Sequence, residues 1–207
     1  MKKLLLFLCL PLYLLGQNSI GLPDVINYSK QSYAAGLQSW DIKQDANGIV
    51  YVANNEGLLS FDGRFWTLYP LPNRTIVRSV EIGPDNKIYV GGQDELGYFS
   101  PAANGRLTYH PLNAAIPAKD QSFGDVWDIV AYKKDIFFRT ANRIFKFTND
   151  VAATFRSVQE WSFLGICNGN LYAHDFKGGL MKFENNAMNP VSVAGSLPAG
   201  DPITAML

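Results

Sequence analysis

The chain repeats itself about every 38 residues, which leaves few architectures open. The segment WDIKQDANGIVYVANNEGLLSFDGRFWTLYPL from Trp40 superposes on RSVEIGPDNKIYVGGQDELGYFSPAANGRLTYHPL from Arg78. Ile42 then falls opposite Val80, Tyr51 opposite Tyr89, and Phe61 near Phe99. A third copy, WDIVAYKKDIFFRTANRIFKF from Trp127, places Ile129 and Phe137 at those positions. A fourth, FLGICNGNLYAHDFKGGLMKF from Phe163, places Ile166 and Tyr172 there. A fifth begins at Ile203 and ends at Leu207.

Every copy has one local grammar. An alternating apolar run meets a turn rich in Asp, Asn and Gly (Asp45 to Gly48, Pro84 to Lys87, Lys133 to Asp135, Asn168 to Asn170), residues that accept the positive φ of tight hairpins. A second strand follows (IVYVA, KIYVG, IFFRT, NLYAH), then a third (LLSF, LGYF, RIFKF, LMKF) and a weaker fourth (FWTLY, LTYHP, FRSVQ, PVSVA). Four short antiparallel strands per repeat, without a 3.6-residue apolar period, specify an all-β chain folded as a β-propeller. A β-sandwich would not make successive quarters alike. The expected organisation is four blades, near 38–72, 75–112, 125–159 and 162–195, with the first strand of a fifth from 203, so the chain reads as the front piece of a longer protein.

Ahead of the repeats, Met1-Lys2-Lys3 and the apolar run Leu4 to Leu15 have the form of a secretory signal, too short to span a bilayer. Residues 1–16 are read as that signal and 17–37 as a lead-in. Cys9 lacks the small preceding residue of a lipid-modification site. With the leader gone, Cys167 is the sole cysteine, so an exported fold must hold without an internal disulfide, and Cys167 is expected to be a small buried hydrophobe. Lys plus Arg equals Asp plus Glu at 18 each. A chain without a basic surplus has no electrostatic footprint for nucleic acid. Hydrophobic residues at 47% and aromatics at 13% exclude a disordered tail.

WDIKQDANGIVYVANNEGLLSFDG and TIVRSVEIGPDNKIYVGGQDELGYFS resemble the two-component regulator propeller repeats of periplasmic sensors from Bacteroidetes-type bacteria, in particular regulators with a triple-tyrosine domain after the propeller. The resemblance is dense from about Asn27 to Ser100 and thinner from Trp127 to Phe183. It implies a periplasmic sensor head whose family members continue into further blades, a triple-tyrosine module, a membrane helix and a kinase or DNA-binding output. Beside those further blades and that module, an oligosaccharide ligand and a second copy of the chain are expected as partners, and no cofactor is expected.

Blade topology sorts the loops, because alternate connections lie on opposite faces. The loops between second and third strands share a face with the inter-blade connectors. That face carries the candidate ligand residues Asn55, Glu56, Arg74, Arg78, Gln93, Asp94, Arg139 and His174, with Trp40 and Trp127 at blade entries. Amide, carboxylate and guanidinium groups beside aromatics are the mixture a carbohydrate needs. Competing structural roles are plain: Trp40 shares parity with Ile42 and is expected to pack between blades, Glu56 and Glu95 are placed to cap turns, and Arg78 and Arg139 require an acceptor that an internal salt bridge could supply.

Signals for catalysis are weak. His110 and His174 lack the spacing of a zinc site, and a Cys167–His174 nucleophile pair has little specificity. No catalytic or metal-binding residue is assigned. A secreted propeller enzyme acting on polysaccharide is the alternative reading.

Overall fold

The computed structural model describes residues 25–192 together with Gly21 and Ile203. The proposed signal at 1–16 and all of the proposed fifth-blade strand but Ile203 lie outside the described residues. Sixteen strands form four separate antiparallel sheets of four, each in sequence order, as a β-propeller requires. Blade 1 holds β1 (Ser39–Gln44), β2 (Val50–Asn54), β3 (Gly57–Phe61) and β4 (Trp66–Tyr69). Blade 2 holds β5 (Val77–Ile82), β6 (Ile88–Gly92), β7 (Leu96–Pro101) and β8 (Leu107–Pro111). Blade 3 holds β9 (Asp128–Tyr132), β10 (Asp135–Arg139), β11 (Arg143–Thr148) and β12 (Val151–Arg156). Blade 4 holds β13 (Trp161–Cys167), β14 (Asn170–Asp175), β15 (Gly179–Glu184) and β16 (Ala187–Pro190). The first strands β1, β5, β9 and β13 lie side by side in that order and form the inner wall.

Strand alternation explains how blades adhere. Side chains of a second strand point alternately to the two faces of its blade, so each strand feeds two interfaces. In β10, Ile136 and Phe138 join the core shared with blade 2, beside Tyr89, Leu96 and Phe145. Phe137 joins the core shared with blade 4, beside Leu164, Leu171 and Ala173. Phe137 and Phe138 are both fully buried, and each burial is worth about 1.5–3 kcal/mol. Tyr51, Ala53, Val80 and Val90 fill the interface of blades 1 and 2. The lead-in contributes one helical turn, α1 (Lys30–Tyr33), and Tyr28 and Tyr33 set their rings against Trp66 at 5.5 and 5.9 Å. They cover the outer half of the face of blade 1 turned away from blade 2. Beside them a groove of roughly 460 Å³ lined by Trp40, Ile42, Val52 and Leu59 stays open.

Three expectations are corrected. The fourth strands of blades 3 and 4 begin at Val151 and Ala187 rather than Phe155 and Pro190. The reason is turn chemistry: Asn149-Asp150 and Asn185-Asn186 all have φ between 49° and 64°, the paired left-handed residues of a two-residue hairpin. The equivalent of Ile42, Val80 and Ile129 is Leu164, which pairs with Ala173, rather than Ile166. The longer β13 shifts the alignment by two residues and leaves Ile166 at 45% exposure. Cys167 is half-buried instead of buried.

Candidate ligand-binding face

A repeated irregularity builds the site. The ladders of blades 1, 2 and 4 each contain a register shift where the inner strand reaches the loop face: between Ser39 and Asp41, Val77 and Ser79, and Trp161 and Phe163. One extra residue is inserted each time, Trp40, Arg78 and Ser162, and a bulged residue is re-aimed out of the ladder. In blade 3 the corresponding residue, Trp127, directly precedes β9, and its backbone N–H donates to the Arg139 carbonyl. The inner rim of the loop face is therefore Trp40, Arg78, Trp127 and Ser162, one residue from each blade. Parity led to an expectation of inter-blade packing for Trp40. The bulge breaks that parity, and Trp40 is 38% exposed.

Three of these rim residues meet. The Arg78 guanidinium carbon lies 4.2 Å from the Trp40 ring centroid and 4.7 Å from that of Trp127, in the corner of two indoles inclined at 75°. Trp40 is oriented by its Nε1–H, which donates to Asn55 Oδ1 at 2.8 Å. Arg78 Nε is 2.8 Å from Asp125 Oδ1, yet neither atom is in hydrogen-bonding geometry, and both are buried along with Nη1. The contact is an ion pair without the directional bond. Below the rim a cavity of roughly 470 Å³ is lined by Trp40, Arg78, Trp127, Asp41, Lys43 and Asp128 among others. Its acidic groups are already engaged. Asp41 accepts the Val80 amide, Glu81 pairs with Lys43 at 2.9 Å, and Asp128 pairs with Arg139.

Other candidates prove to hold the fold. Arg139 is buried, bound to Asp128, and donates from Nη1 to the Trp161 carbonyl at 2.7 Å, linking blades 3 and 4. The internal salt bridge is thus its role. Asp94, at φ 51°, accepts the amides of Phe123 and Gly124 at 2.7 and 2.6 Å and pins the connector between blades 2 and 3. His174 is buried with Nδ1 2.6 Å from Ser162 Oγ. Burial holds its pKa below the ordinary histidine range, against a smaller opposing pull from Asp175. Glu56, Arg74 and Gln93 are exposed loop residues that do not line the cavity. Glu95 accepts from Tyr109 Oη at 2.7 Å and Asn73 Nδ2 at 3.3 Å, a bracing role between loops.

Sequence reading passed over the clamps that set this face. Asn54 donates from Nδ2 to the carbonyls of Gly36 and Gln38, tying the lead-in to blade 1. Its counterpart Asp175 accepts four amides, those of Val158, Gln159, Lys177 and Gly178. Asp120 in the long connector is buried between Arg143 and Arg156. Ending a second strand with Asn or Asp was a visible signal for the first two. Nothing local marked Asp120 or Asp125.

Among solved structures, the chain is similar to the extracellular domain of BT4673 from Bacteroides thetaiotaomicron, assigned to a hybrid two-component system. The identity is 18% and the TM-score 0.57 over 80% of this chain and 23% of that one. It is also similar to virginiamycin B lyase from Staphylococcus aureus (16% identity, TM-score 0.60, 78% of this chain, 57% of that one). A third is an ancestral GH74 enzyme (20% identity, TM-score 0.58, 78% and 24%). The chain thus spans between about a quarter and three-fifths of these structures, and the likeness is one of fold. No family model and no curated protein matches the chain. The comparisons and the four stacked sheets together make this a β-propeller whose loop face carries an aromatic and guanidinium rim.

Proposed function

We propose that this propeller is part of the non-catalytic periplasmic sensor head of a one- or two-component regulator, and that its loop face receives an oligosaccharide. The observation that carries the reading is the rim, where exposed faces of Trp40 and Trp127 flank Arg78 above a cavity of disaccharide scale. Indoles stack on the apolar faces of sugars, and a few polar groups fix orientation. The repeats resemble regulator propellers, and a domain assigned to such a system has the same fold. No described helix is long and apolar enough to cross a membrane, in keeping with an exported head. Further blades and a triple-tyrosine module are the partners in this reading.

The competing reading is a polysaccharide-acting enzyme, since a GH74 enzyme shares the fold. Calorimetric titration with plant and host glycan fragments, paired with chromatography of the incubated glycan, separates the two. Saturable binding with the glycan recovered intact supports a sensor. Shortened glycan products overturn it.

A further inference from the structure

We infer that the rim selects a sugar bearing a carboxylate, with Arg78 as the group that reads the charge. The inference rests on the oligosaccharide reading above and adds the ligand's chemistry to it. Arg78 is held by an ion pair with Asp125 that lacks hydrogen-bond alignment, and its Nε and Nη1 are buried without an acceptor in bonding geometry. Nη2 is the guanidinium nitrogen not enclosed in this way, so it is the donor open to a ligand. The two indoles flank the guanidinium and lower the local dielectric, which strengthens any charge-assisted bond made there. With Nε and Nη1 enclosed, Nη2 offers a ligand carboxylate one charge-assisted hydrogen bond beside the two indoles.

Competition from the cavity's own carboxylates is low. Asp41 is committed to backbone amides, Glu81 to Lys43 and Asp128 to Arg139, so Asp125 is Arg78's only ion-pair partner among the described residues. A ligand carboxylate can approach Arg78 from the cavity side while the adjoining ring stacks on Trp40 or Trp127, both near 40% exposed. The Asn55 bond fixes the Trp40 plane before the ligand arrives, which lowers the ordering cost of binding.

The test is titration of the chain with tri-galacturonic acid, with its neutral counterpart galactotriose and with acetate, followed by indole fluorescence. The acidic trisaccharide should saturate the signal at roughly tenfold lower concentration than the neutral one, and acetate should give no saturable change, because a charge-assisted bond adds to stacking only where both are present. Arg78→Gln should abolish the preference for the acid; it also removes the Asp125 ion pair and both indole contacts, so its thermal midpoint should fall and the titration is run below it. Arg78→Lys, which keeps the charge but loses the planar group held between the indoles, should retain only part of that preference and serves if the glutamine variant fails to fold. Equal affinity for the two trisaccharides, or a preference that survives both substitutions, overturns the anion assignment while leaving the sugar-binding reading standing. No saturable change with either trisaccharide overturns the anion assignment and removes these sugars from the sensor reading. Saturation by acetate at the same concentration as the acidic sugar overturns it in favour of a simple carboxylate site.

Discussion

Asp175 offers the sharpest test of how the loop face is held. Its carboxylate is fully buried and accepts four backbone amides: Val158 and Gln159 on Oδ2 at 2.9 and 3.1 Å, Lys177 and Gly178 on Oδ1 at 2.9 and 2.6 Å. Asp175→Asn keeps the shape but turns one oxygen into a donor, so two of the four amides face an N–H. Hydrogen bonds to a charged acceptor are worth about 1.5–3 kcal/mol each, and two that share one oxygen do not add fully. A loss of about 3 kcal/mol follows, which for a chain of this size lowers the melting temperature by roughly 6–12 °C. Burial pushes the carboxyl pKa up, but the four amides outweigh it and hold the group below the ordinary aspartate range. The folded pKa is thus depressed, so the stabilisation is complete above the unfolded value of about 3.9 and is lost as pH falls through the folded one. Urea unfolding followed by tryptophan fluorescence at pH 7 and at descending pH measures both effects. A variant within 0.5 kcal/mol of the parent at pH 7 (roughly the scatter of a neutral surface change), or a difference that does not shrink below pH 4 (roughly the unfolded value), would refute the clamp.

Phe137→Ala and Phe138→Ala should each cost about 3–5 kcal/mol, yet on opposite faces of one strand. Hydrogen exchange should quicken at the interface of blades 3 and 4 for the first and of blades 2 and 3 for the second. Gly92→Ala should destabilise by about 1–3 kcal/mol in thermal melts, since its Cβ would lie 2.2 Å from the Ile76 carbonyl oxygen. Asp120→Ala should release the connector 112–127, seen as faster limited proteolysis there. Burial pushes the Asp120 carboxyl up but Arg156 and Arg143 outweigh it and hold it low. The anchoring should therefore weaken as acidification protonates that carboxylate.

The propeller was legible because its signals are local and repeated. The Asp, Asn and Gly turns and the Tyr51, Tyr89, Phe137 and Tyr172 series recur at matching ladder positions. The loop face followed from topology alone. What failed was what depends on single backbone irregularities. A bulge at Trp40 leaves no mark in composition, yet it decides whether an indole packs between blades or faces the rim. Arg139 and Arg78 looked alike in sequence. Asp128, directly across the ladder from Arg139, captures the first, whereas Arg78 meets Asp125 from a connector and two indoles from neighbouring blades. Long-range partners of that kind have no sequence signature.

The central claim, that ligand binds at the bulge-built rim of the loop face, is tested most directly by hydrogen exchange of the chain with and without a titrating oligosaccharide. Protection should concentrate at residues 39–41, 77–79 and 125–128, with the hairpin turns at 45–49, 83–87 and 133–134 unchanged. Protection at those turns with none at the rim would contradict it.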